Sequence, residues 1–310
     1  MHNKLIYVVV VTYNGEKWIR EALNTLSESA LQVSSIIIDN ASSDSTVEII
    51  SSEFPEMNLI TLDENLGFGK ANNVGIRYAL DAGADYVFLM NQDVYIKPDT
   101  MDVLLNTSMK NSDYSIISPI HLDGRGASLD HNFSVHITPP KASVDLISFL
   151  YLKSNEEQVY QVSYVNAAAW FMPKETLLRI GGFDPLFSHY GEDEHYAARL
   201  NFHDEKMGVT PLTSIRHDRI QFGNVTRYKK GLYYRQLLMG IMDVTKAPKE
   251  LFAWFCKQTA KNIFLVTVYF LTMRFAKAVE FHCSYLKIIG KWPAISKSRA
   301  INKREGPSWL

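Results

Sequence analysis

The feature that most constrains this chain is the regular alternation of apolar strand-like segments and helical segments over its first hundred residues. Runs rich in Val, Ile and Leu at 5–11, 35–39, 58–62 and 86–90 are separated by stretches with apolar residues at helical spacing, among them 16–30 and 69–82. Uninterrupted apolar runs are typical of strands buried on both faces. Strand–helix–strand order implies parallel pairing with right-handed crossovers. The sequence therefore predicts an α/β fold with a Rossmann-like, open, mostly parallel sheet and flanking helices.

Beyond Pro98 the alternation is less regular. The composition favours strands near 115–120, 162–172 and 208–217, short helices at 173–180 and 192–202, and a loop at 123–140, where Gly, His and two adjacent prolines occur. From Tyr228 onward we expect helices only. We therefore expect two parts, a sheet domain over 1–222 and a helical extension over 223–310.

The net charge of −1 conceals an asymmetry between these two parts. The extension carries 16 Lys and Arg against 4 Asp and Glu, whereas residues 1–222 carry 16 basic and 29 acidic residues. An acidic body disfavours a broad nucleic-acid surface. The basic, aromatic extension suits an interfacial helix on anionic lipid. A helical hairpin packed on the body or on the second subunit of a homodimer explains its apolar content equally well.

The cysteines and the apolar runs bear on location. Cys256 and Cys283 make no disulfide framework, which fits a reducing compartment. The apolar run 5–11 ends in Thr12-Tyr13-Asn14 and resembles a buried strand more than a signal peptide. The longest uncharged apolar stretch, 262–273, is too short to span a bilayer. We expect a cytoplasmic protein, peripheral at the inner face of the membrane if the extension binds lipid.

Polar clusters follow three of the predicted strands: 12–14, 39–44 and 91–93. Ligands of open α/β sheets bind outside the carboxyl ends of the strands, so three clusters converging on that edge predict a site. Taken singly, such residues are ordinary in turns and caps. Asp44 is more typical of a helix cap. Asp39 ends a strand at the proposed edge, which favours a role in ligand binding.

Asp93 places a carboxylate directly after the apolar run that ends at Met90. A hard cation such as Mg²⁺ or Mn²⁺ takes oxygen ligands, often one or two carboxylates together with diphosphate oxygens. Asp93 is a candidate for one of them. The alternative is an Asx turn before Tyr95 and Pro98.

Together the motifs resemble glycosyltransferase family 2, which has a GT-A fold. The matching segments are Val-Val-Thr-Tyr-Asn (10–14), Ile-Asp-Asn-Ala-Ser-Ser-Asp (38–44), Glu-Asn-Leu-Gly-Phe-Gly-Lys-Ala-Asn-Asn-Val-Gly-Ile (64–76), Leu-Met-Asn-Gln-Asp-Val (89–94), Gly-Gly-Phe-Asp-Pro-Leu-Phe (181–187) and Tyr-Gly-Glu-Asp (190–193). The resemblance covers roughly residues 5–220. Segment 64–76 looks like the rhamnosyltransferase-like branch of that family.

The resemblance implies a nucleotide-sugar donor bound in the domain 1–222. Thr12 and Asp39 would lie at the nucleoside, and Asp93 corresponds to the last Asp of the family's Asp-x-Asp metal motif. Asn91 stands where the first Asp is expected, which removes one charge. His217 occupies a place where the family often has a histidine near the metal, although a lone His is more often structural. The further residues expected to bind the donor are Tyr13, Asn14, Asn65, Gly67, Asn72, Asn91 and Gln92.

Glu192-Asp193 matches the family's Glu-Asp motif, in which an Asp is the candidate base. An inverting transfer needs a base to take the proton of the attacking acceptor hydroxyl. Asp193 is the first choice for this catalytic role and Glu192 the second. The alternative is a helix N-terminus stabilised by the acidic residues 192–194.

The resemblance thus implies a hexosyl- or rhamnosyltransferase. It would move one sugar from a UDP- or dTDP-linked donor to a glycan or a lipid-linked saccharide with Mn²⁺ or Mg²⁺. The chain lacks the Gln-x-x-Arg-Trp pattern of processive synthases. Two alternatives remain. A sugar nucleotidyltransferase would need an early glycine-rich phosphate loop, which 12–15 does not provide. A non-catalytic glycan-assembly scaffold is favoured by Asn91 alone.

Overall fold

The computed structural model describes residues 4–138, 144–152, 158–188, 190–219 and 231–310. The chain forms two compact units. Unit 1 contains residues 1–219 together with Glu305–Leu310, and unit 2 contains Ile220–Arg304. The predicted boundary at 222/223 falls in 220–230, outside the described residues.

Unit 1 is an α/β unit with nine described strands and eight described helices. The strands are β1 (Ile6–Thr12), β2 (Ser34–Asp39), β3 (Asn58–Thr61), β4 (Tyr86–Asn91), β5 (Val94–Tyr95), β6 (Tyr114–Asp123), β7 (Tyr160–Val162), β8 (Ala169–Pro173) and β9 (Lys206–His217). The helices are α1 (Ile19–Ser27), α2 (Thr46–Glu53), α3 (Phe68–Asp81), α4 (Thr100–Lys110), α5 (His131–His136), α6 (Val144–Leu152), α7 (Lys174–Ile180) and α8 (Glu192–Phe202).

All nine strands belong to one sheet, in the order β3-β2-β1-β4-β8-β6-β9-β5, with β7 also paired to β9. The pairs β3/β2, β2/β1, β1/β4 and β6/β9 are parallel, whereas β8 runs antiparallel to both β4 and β6. The α/β prediction is confirmed, and four neighbouring strands, β3, β2, β1 and β4, form its continuous parallel part. Because β1, β2 and β4 are parallel neighbours, their carboxyl ends lie at one edge.

The central strands are buried on both faces, as their uninterrupted apolar runs predict. In β1, Val8 and Val10 pack into one core cluster and Val9 into another on the opposite side of the sheet. In β2, Ile37 packs with the first cluster and Ile38 with the second. The observed register brings the ends of β1, β2 and β4 level.

The later part of unit 1 differs from the prediction in two places. The predicted loop 123–140 contains α5, because the buried Asp130 accepts the Phe133 N–H at 2.9 Å as its N-cap. The predicted strand 162–172 is instead divided into β7 and β8, which pair with different neighbours. The residues between β7 and β8 lie beside the candidate site.

Residues 305–310 return to unit 1 and close on the segment after α7. Gly306 donates its N–H to the Arg179 carbonyl at 2.7 Å, and the Gly182 N–H donates to the Ser308 carbonyl at 2.8 Å. Leu310 packs against one of the two core clusters. Unit 1 is therefore assembled from two stretches of sequence that unit 2 separates.

In unit 2 the described residues from 231 onward form four helices: α9 (Leu232–Met242), α10 (Pro248–Leu271), α11 (Phe275–Gly290) and α12 (Trp292–Asn302). The N1 Pro248 and the Glu250 carboxylate, which accepts the Ala247 N–H at 2.8 Å, begin α10. Among the described residues, no helix has the length and apolarity that crossing a membrane requires.

Candidate active site

The three polar clusters meet at the carboxyl edge of the parallel strands. Thr12 and Asp39 are directly opposed in the β1/β2 register, and Asn91 ends β4 opposite Val11. Gln92 joins the first and third clusters, because its Oε1 accepts the Thr12 hydroxyl at 2.6 Å and the Tyr13 N–H at 2.8 Å. Thr12 and Gln92 therefore hold the loops together and leave Tyr13 exposed.

Asp39 is buried and only half satisfied. Its Oδ2 accepts the Ser42 N–H at 3.0 Å, whereas Oδ1 has no hydrogen-bond partner among the described residues. A buried carboxylate oxygen without a donor is costly, so an N–H or O–H donor brought by a ligand would be stabilising there. Asp39 therefore has the properties expected of a ligand-binding group.

Asn14 connects the loops after β1 and β2 through hydrogen bonds. It adopts a φ of 47°, its N–H donates to the Ser42 hydroxyl at 2.9 Å, and its Oδ1 accepts the Ser43 N–H at 2.8 Å. Asp44 accepts the N–H of Thr46 at 3.1 Å at the start of α2, and also the Glu16 N–H at 3.2 Å. The structure thus uses Asn14 and Asp44 to shape the edge.

The loop before α3 is fixed by two asparagines. Asn65 Oδ1 accepts from Asn40 Nδ2 at 3.0 Å and from the Gly67 N–H at 2.9 Å. Asn72 is buried, and its Nδ2 donates to the Phe68 carbonyl at 3.0 Å within α3. Of the residues predicted to line a donor pocket here, Asn65 shapes the loop, and Asn72 hydrogen-bonds within its own helix.

Gly67 is required by a protein contact. It has a φ of +81°, and a Cβ there would lie 1.9 Å from the Ser188 carbonyl oxygen. A Cβ at Gly69 would lie 2.9 Å from the Cβ of Phe183. The two motif segments 64–76 and 181–187 therefore pack against each other.

Asp93 and His217 lie side by side, although they are far apart in sequence. Val94 pairs with His217 in the β5/β9 ladder, and the Asp218 N–H donates to the Asp93 carbonyl at 2.8 Å. The result is a distance of 3.2 Å between Asp93 Oδ1 and His217 Nε2, with 18% of the Asp93 side chain and 2% of the His217 side chain exposed.

Charged groups behind this pair set its electrostatics. The Arg219 guanidinium donates to His217 Nδ1 at 2.9 Å, and its Nε lies 3.1 Å from the buried Asp130 carboxylate. Burial raises the pKa of Asp93, but the interaction with His217 and the charge of Arg219 lower it more, so the pKa of Asp93 lies below its ordinary value. Asp93 is therefore an anion at neutral pH. Asn91, two residues before Asp93, has a buried Oδ1 with no hydrogen-bond partner among the described residues.

Asp193 lies in the first turn of α8, after Gly191, which has a φ of +96°. Its Oδ2 accepts the Tyr164 hydroxyl at 2.7 Å and the Ala167 N–H at 3.4 Å. Ala168 in turn accepts the Asn91 N–H at 3.0 Å. Residues 164–168 thus connect the end of β4 to the first turn of α8 and bring Asp193 to the same edge.

Glu192 occupies a different environment from Asp193. Glu192 is 5% exposed and packs beside α3. If Gly69 of α3 carried a Cβ, that atom would lie 3.4 Å from the Cβ of Glu192. Asp193 is half-buried, with one carboxylate oxygen held by Tyr164. Of the two acids, Asp193 has the geometry of a positioned and accessible base.

Comparison with known proteins supports the resemblance drawn from the motifs. The sequence profile described as Glycosyl transferase family 2 matches residues 7–149, which include the edge built from β1, β2 and β4. Over these residues the chain resembles glycosyl transferase family 2. The resemblance drawn from the motifs is confirmed.

Relatives within family 2 include two rhamnosyltransferases. The chain is 33% identical over 122 residues to the dTDP-rhamnosyl transferase RfbF of Shigella flexneri, a match covering 39% of this chain and 40% of RfbF. It is 24% identical over 224 residues to the rhamnosyltransferase WbbL of Escherichia coli, covering 69% of this chain and 83% of WbbL. The rhamnosyltransferase-like branch is thereby confirmed as the part of family 2 that the chain resembles.

Solved structures confirm the GT-A fold. Staphylococcus aureus TarS residues 1–349, in complex with UDP-GlcNAc, superposes with a TM-score of 0.56 at 17% identity and covers 79% of this chain and 66% of that one. At this identity the likeness supports the fold alone.

Sequence reasoning missed three side chains that organise the candidate site. Tyr164 holds Asp193, and Arg219 holds His217. Asn73 both donates to the Phe183 carbonyl at 2.8 Å and accepts the Phe183 N–H at 2.7 Å, which clamps the two motif segments together. Only Asn73 left a signal, as part of a matched motif.

A substitution at Gly67 tests the packing between the two motif segments. We expect Gly67→Ala to lower the free energy of unfolding by about 1–3 kcal/mol, because the positive φ is strained and the methyl group meets the Ser188 carbonyl. Gly83→Ala is the matched control, since Gly83 has a φ of +86° with nothing within 4 Å of its Cβ position. The free energy of unfolding of both variants is measured with denaturant. Gly83→Ala reports the cost of the positive φ alone, and any further loss in Gly67→Ala reports the collision with Ser188. Equal losses would contradict the packing argument.

Proposed function

We propose that this chain is an inverting glycosyltransferase. It transfers one sugar from a nucleotide-diphosphate sugar, with a UDP- or dTDP-linked donor, to a glycan or a lipid-linked saccharide. The observation that carries the proposal is the Asp93–His217 pair, set beside the half-satisfied Asp39 at the carboxyl edge of the sheet. The match of residues 7–149 to family 2 and the similarity to RfbF and WbbL support it.

The donor's nucleoside would bind at Asp39. The unpartnered Oδ1 accepts one hydrogen bond from the base or the ribose, while Ser42 keeps the other oxygen in place. Tyr13, exposed at the same edge, offers an aromatic surface to the nucleotide. The sugar and the diphosphate then extend toward the end of β4.

A divalent cation would fit the Asp93–His217 pair once Arg219 moves off His217 Nδ1, because a metal bound at Nε2 requires the ring proton on Nδ1. Two neighbouring ligands bound at about 2.1 Å and at right angles lie about 3 Å apart, close to the 3.2 Å between Oδ1 and Nε2. Among the described residues, no cluster of three or more His, Cys, Asp or Glu side chains could hold a metal ion. The protein would therefore supply only part of the coordination shell, from Asp93 and His217. Bound there with donor oxygens completing the shell, Mn²⁺ or Mg²⁺ would neutralise charge on the departing diphosphate.

Asp193 would act as the base. As the acceptor oxygen attacks the anomeric carbon, Asp193 takes its proton, the new glycosidic bond forms, and the bond to the diphosphate breaks. The attack comes from the face opposite the leaving group, so the anomeric configuration inverts. The reaction needs no nucleophilic side chain.

An assay across donors tests the proposal as a whole. Purified protein is given UDP- and dTDP-linked sugars, with saccharide and lipid-linked acceptors, in Mn²⁺, Mg²⁺ or chelator. We expect sugar transfer that requires the divalent ion. Formation of a sugar nucleotide from a sugar phosphate would instead indicate a nucleotidyltransferase. Neither transfer nor hydrolysis with any donor would indicate a scaffold.

Tyr164 is proposed as the residue that positions the base. Tyr164→Phe removes one hydrogen bond to the Asp193 carboxylate, so we expect kcat to fall by about tenfold with donor KM unchanged. Tyr7→Phe, at a partly buried tyrosine packed edge-on against Tyr78, is the control and should leave kcat unchanged. A rise in donor KM with normal kcat would show that Tyr164 serves donor binding instead.

A further inference from the structure

The hairpin formed by α10 and α11 is apolar on its exposed side. Residues 248–290 hold ten of the twenty-two large hydrophobic side chains that are exposed among the described residues. Contiguous exposed apolar surface of this kind marks an interaction site. We infer that this surface, named the hairpin face, binds the headgroup region of an anionic membrane.

The two helices of the hairpin pack through a seam that contains both hydrogen bonds and aromatic contacts. Asn262, 3% exposed, donates from Nδ2 to the Phe281 carbonyl at 3.1 Å, and Thr259 is hydrogen-bonded to the Tyr285 hydroxyl. Phe255 and Tyr269 contact the partner helix with their rings. Hydrogen bonds and aromatic contacts together hold the seam, and other large apolar side chains of the two helices, such as Phe264 and Phe270, remain exposed.

On α10 the exposed residues form a continuous apolar stripe. Between Phe252 and Leu271 the only charged ones are Lys257 and Lys261. At about 100° per residue, the uncharged exposed residues fall in an arc of about 120°, and Lys257 and Lys261 lie about 20° and about 60° beyond one edge of that arc. The helix is about 36 Å long, so the stripe suits a helix lying in the plane of an interface.

The stripe continues over the turn into α11. Phe270, Leu271, Met273 and Phe275 are 63%, 75%, 77% and 48% exposed, and the rings of Phe270 and Phe275 meet edge to face at 5.3 Å. These four residues form the hairpin tip. Val279 and Leu286 extend the exposed apolar side along α11. The hairpin tip is the most exposed apolar part and would enter lipid most deeply.

The positive charge of the hairpin favours an anionic lipid surface over a second copy of the chain as the binding partner of the hairpin face. The hairpin carries six exposed basic residues, namely Lys249, Lys257, Lys261, Arg274, Lys277 and Lys287, against Glu250 and Glu280. None of the six forms an ion pair with another described residue. A twofold interface through this face would bring like charges together, which disfavours it. Anionic headgroups pair with these cations while the rings are buried alongside.

Vesicle co-sedimentation of the full chain tests this inference independently of the transfer reaction. We expect binding to phosphatidylglycerol-containing vesicles, weaker binding to pure phosphatidylcholine, and release by salt. Leu271→Glu/Met273→Glu should weaken binding by about tenfold or more, because the hairpin tip can no longer be buried. Leu212→Glu/Met109→Glu is the matched control, since those side chains are 51% and 48% exposed in unit 1, and it should bind as the wild type does.

A second variant separates charge from apolar burial. Lys257→Gln/Lys261→Gln should weaken binding to anionic vesicles by about fivefold per charge and leave binding to neutral vesicles unchanged. Far-ultraviolet circular dichroism and melting show whether each variant is folded. Absence of binding to anionic vesicles at low salt would overturn the inference. So would a wild-type dimer, in sedimentation velocity, that the tip variant dissociates, because the hairpin face would then be a self-interface.

Discussion

Asp93→Ala is expected to lower transfer by roughly a thousandfold or more while leaving the protein folded. The carboxylate is one of the two protein groups proposed to hold the cation, and His217 alone cannot replace its charge. The side chain is 18% exposed, and its removal leaves Arg219 paired with Asp130, so no buried charge is left alone. The loss should therefore appear in turnover more than in stability.

Two measurements check the role of Asp93. Turnover is followed against Mn²⁺ concentration, and Mn²⁺ binding is measured directly by electron paramagnetic resonance without any substrate. Asp113→Ala is the control, because Asp113 forms only an exposed ion pair with Lys206, and such pairs contribute little. Wild-type turnover in chelator-treated buffer, or unchanged Mn²⁺ binding by the Asp93 variant, would refute the metal role.

Asp193→Asn is expected to lower kcat by about a hundredfold or more with donor affinity largely kept. The amide has the shape of the carboxylate and can still accept the Tyr164 hydroxyl, but it cannot take a proton. Turnover measured at saturating donor, together with donor binding measured by calorimetry, separates the two effects.

Glu194→Gln is the matched control for Asp193→Asn. Both substitutions remove one negative charge from the first turn of α8, and Glu194 is exposed. If these acids only stabilise the helix N-terminus, both variants lose a similar stability of about 0.3–1 kcal/mol and both keep their turnover. A large fall in kcat confined to the Asp193 variant is the result expected of a base. Loss of donor affinity with turnover preserved would make Asp193 a binding residue.

The parallel part of the sheet could be predicted because its signal is local. Each apolar run is read from neighbouring residues, and the strand–helix–strand order makes neighbouring strands parallel, so their carboxyl ends lie at one edge. From that arrangement it follows that Thr12 and Asp39 are neighbours, which the register confirms. The helix α8 was likewise predicted with its observed bounds, Glu192–Phe202.

The contacts that complete the site depend on pairings between distant segments. The short strand β5 brings Asp93 to His217, and two residues of sequence carry no periodic signal. Tyr164 lies in the irregular stretch between β7 and β8, which the apolar pattern merged into one strand. The motif contains Gly67, but the sequence does not show that the Ser188 carbonyl leaves no room for a side chain at this position.

The return of residues 305–310 to unit 1 bears on the order in which the chain can fold. The ion pair between Arg179 and Glu305 spans 126 positions, and closing a flexible loop of that length costs about 4 kcal/mol in chain entropy beyond a constant. Contacts of such high sequence separation form late, after the local β–α pairs of the parallel half. The segment at Gly181 and Gly182, which precedes the proposed base, is therefore among the last parts of unit 1 to become ordered.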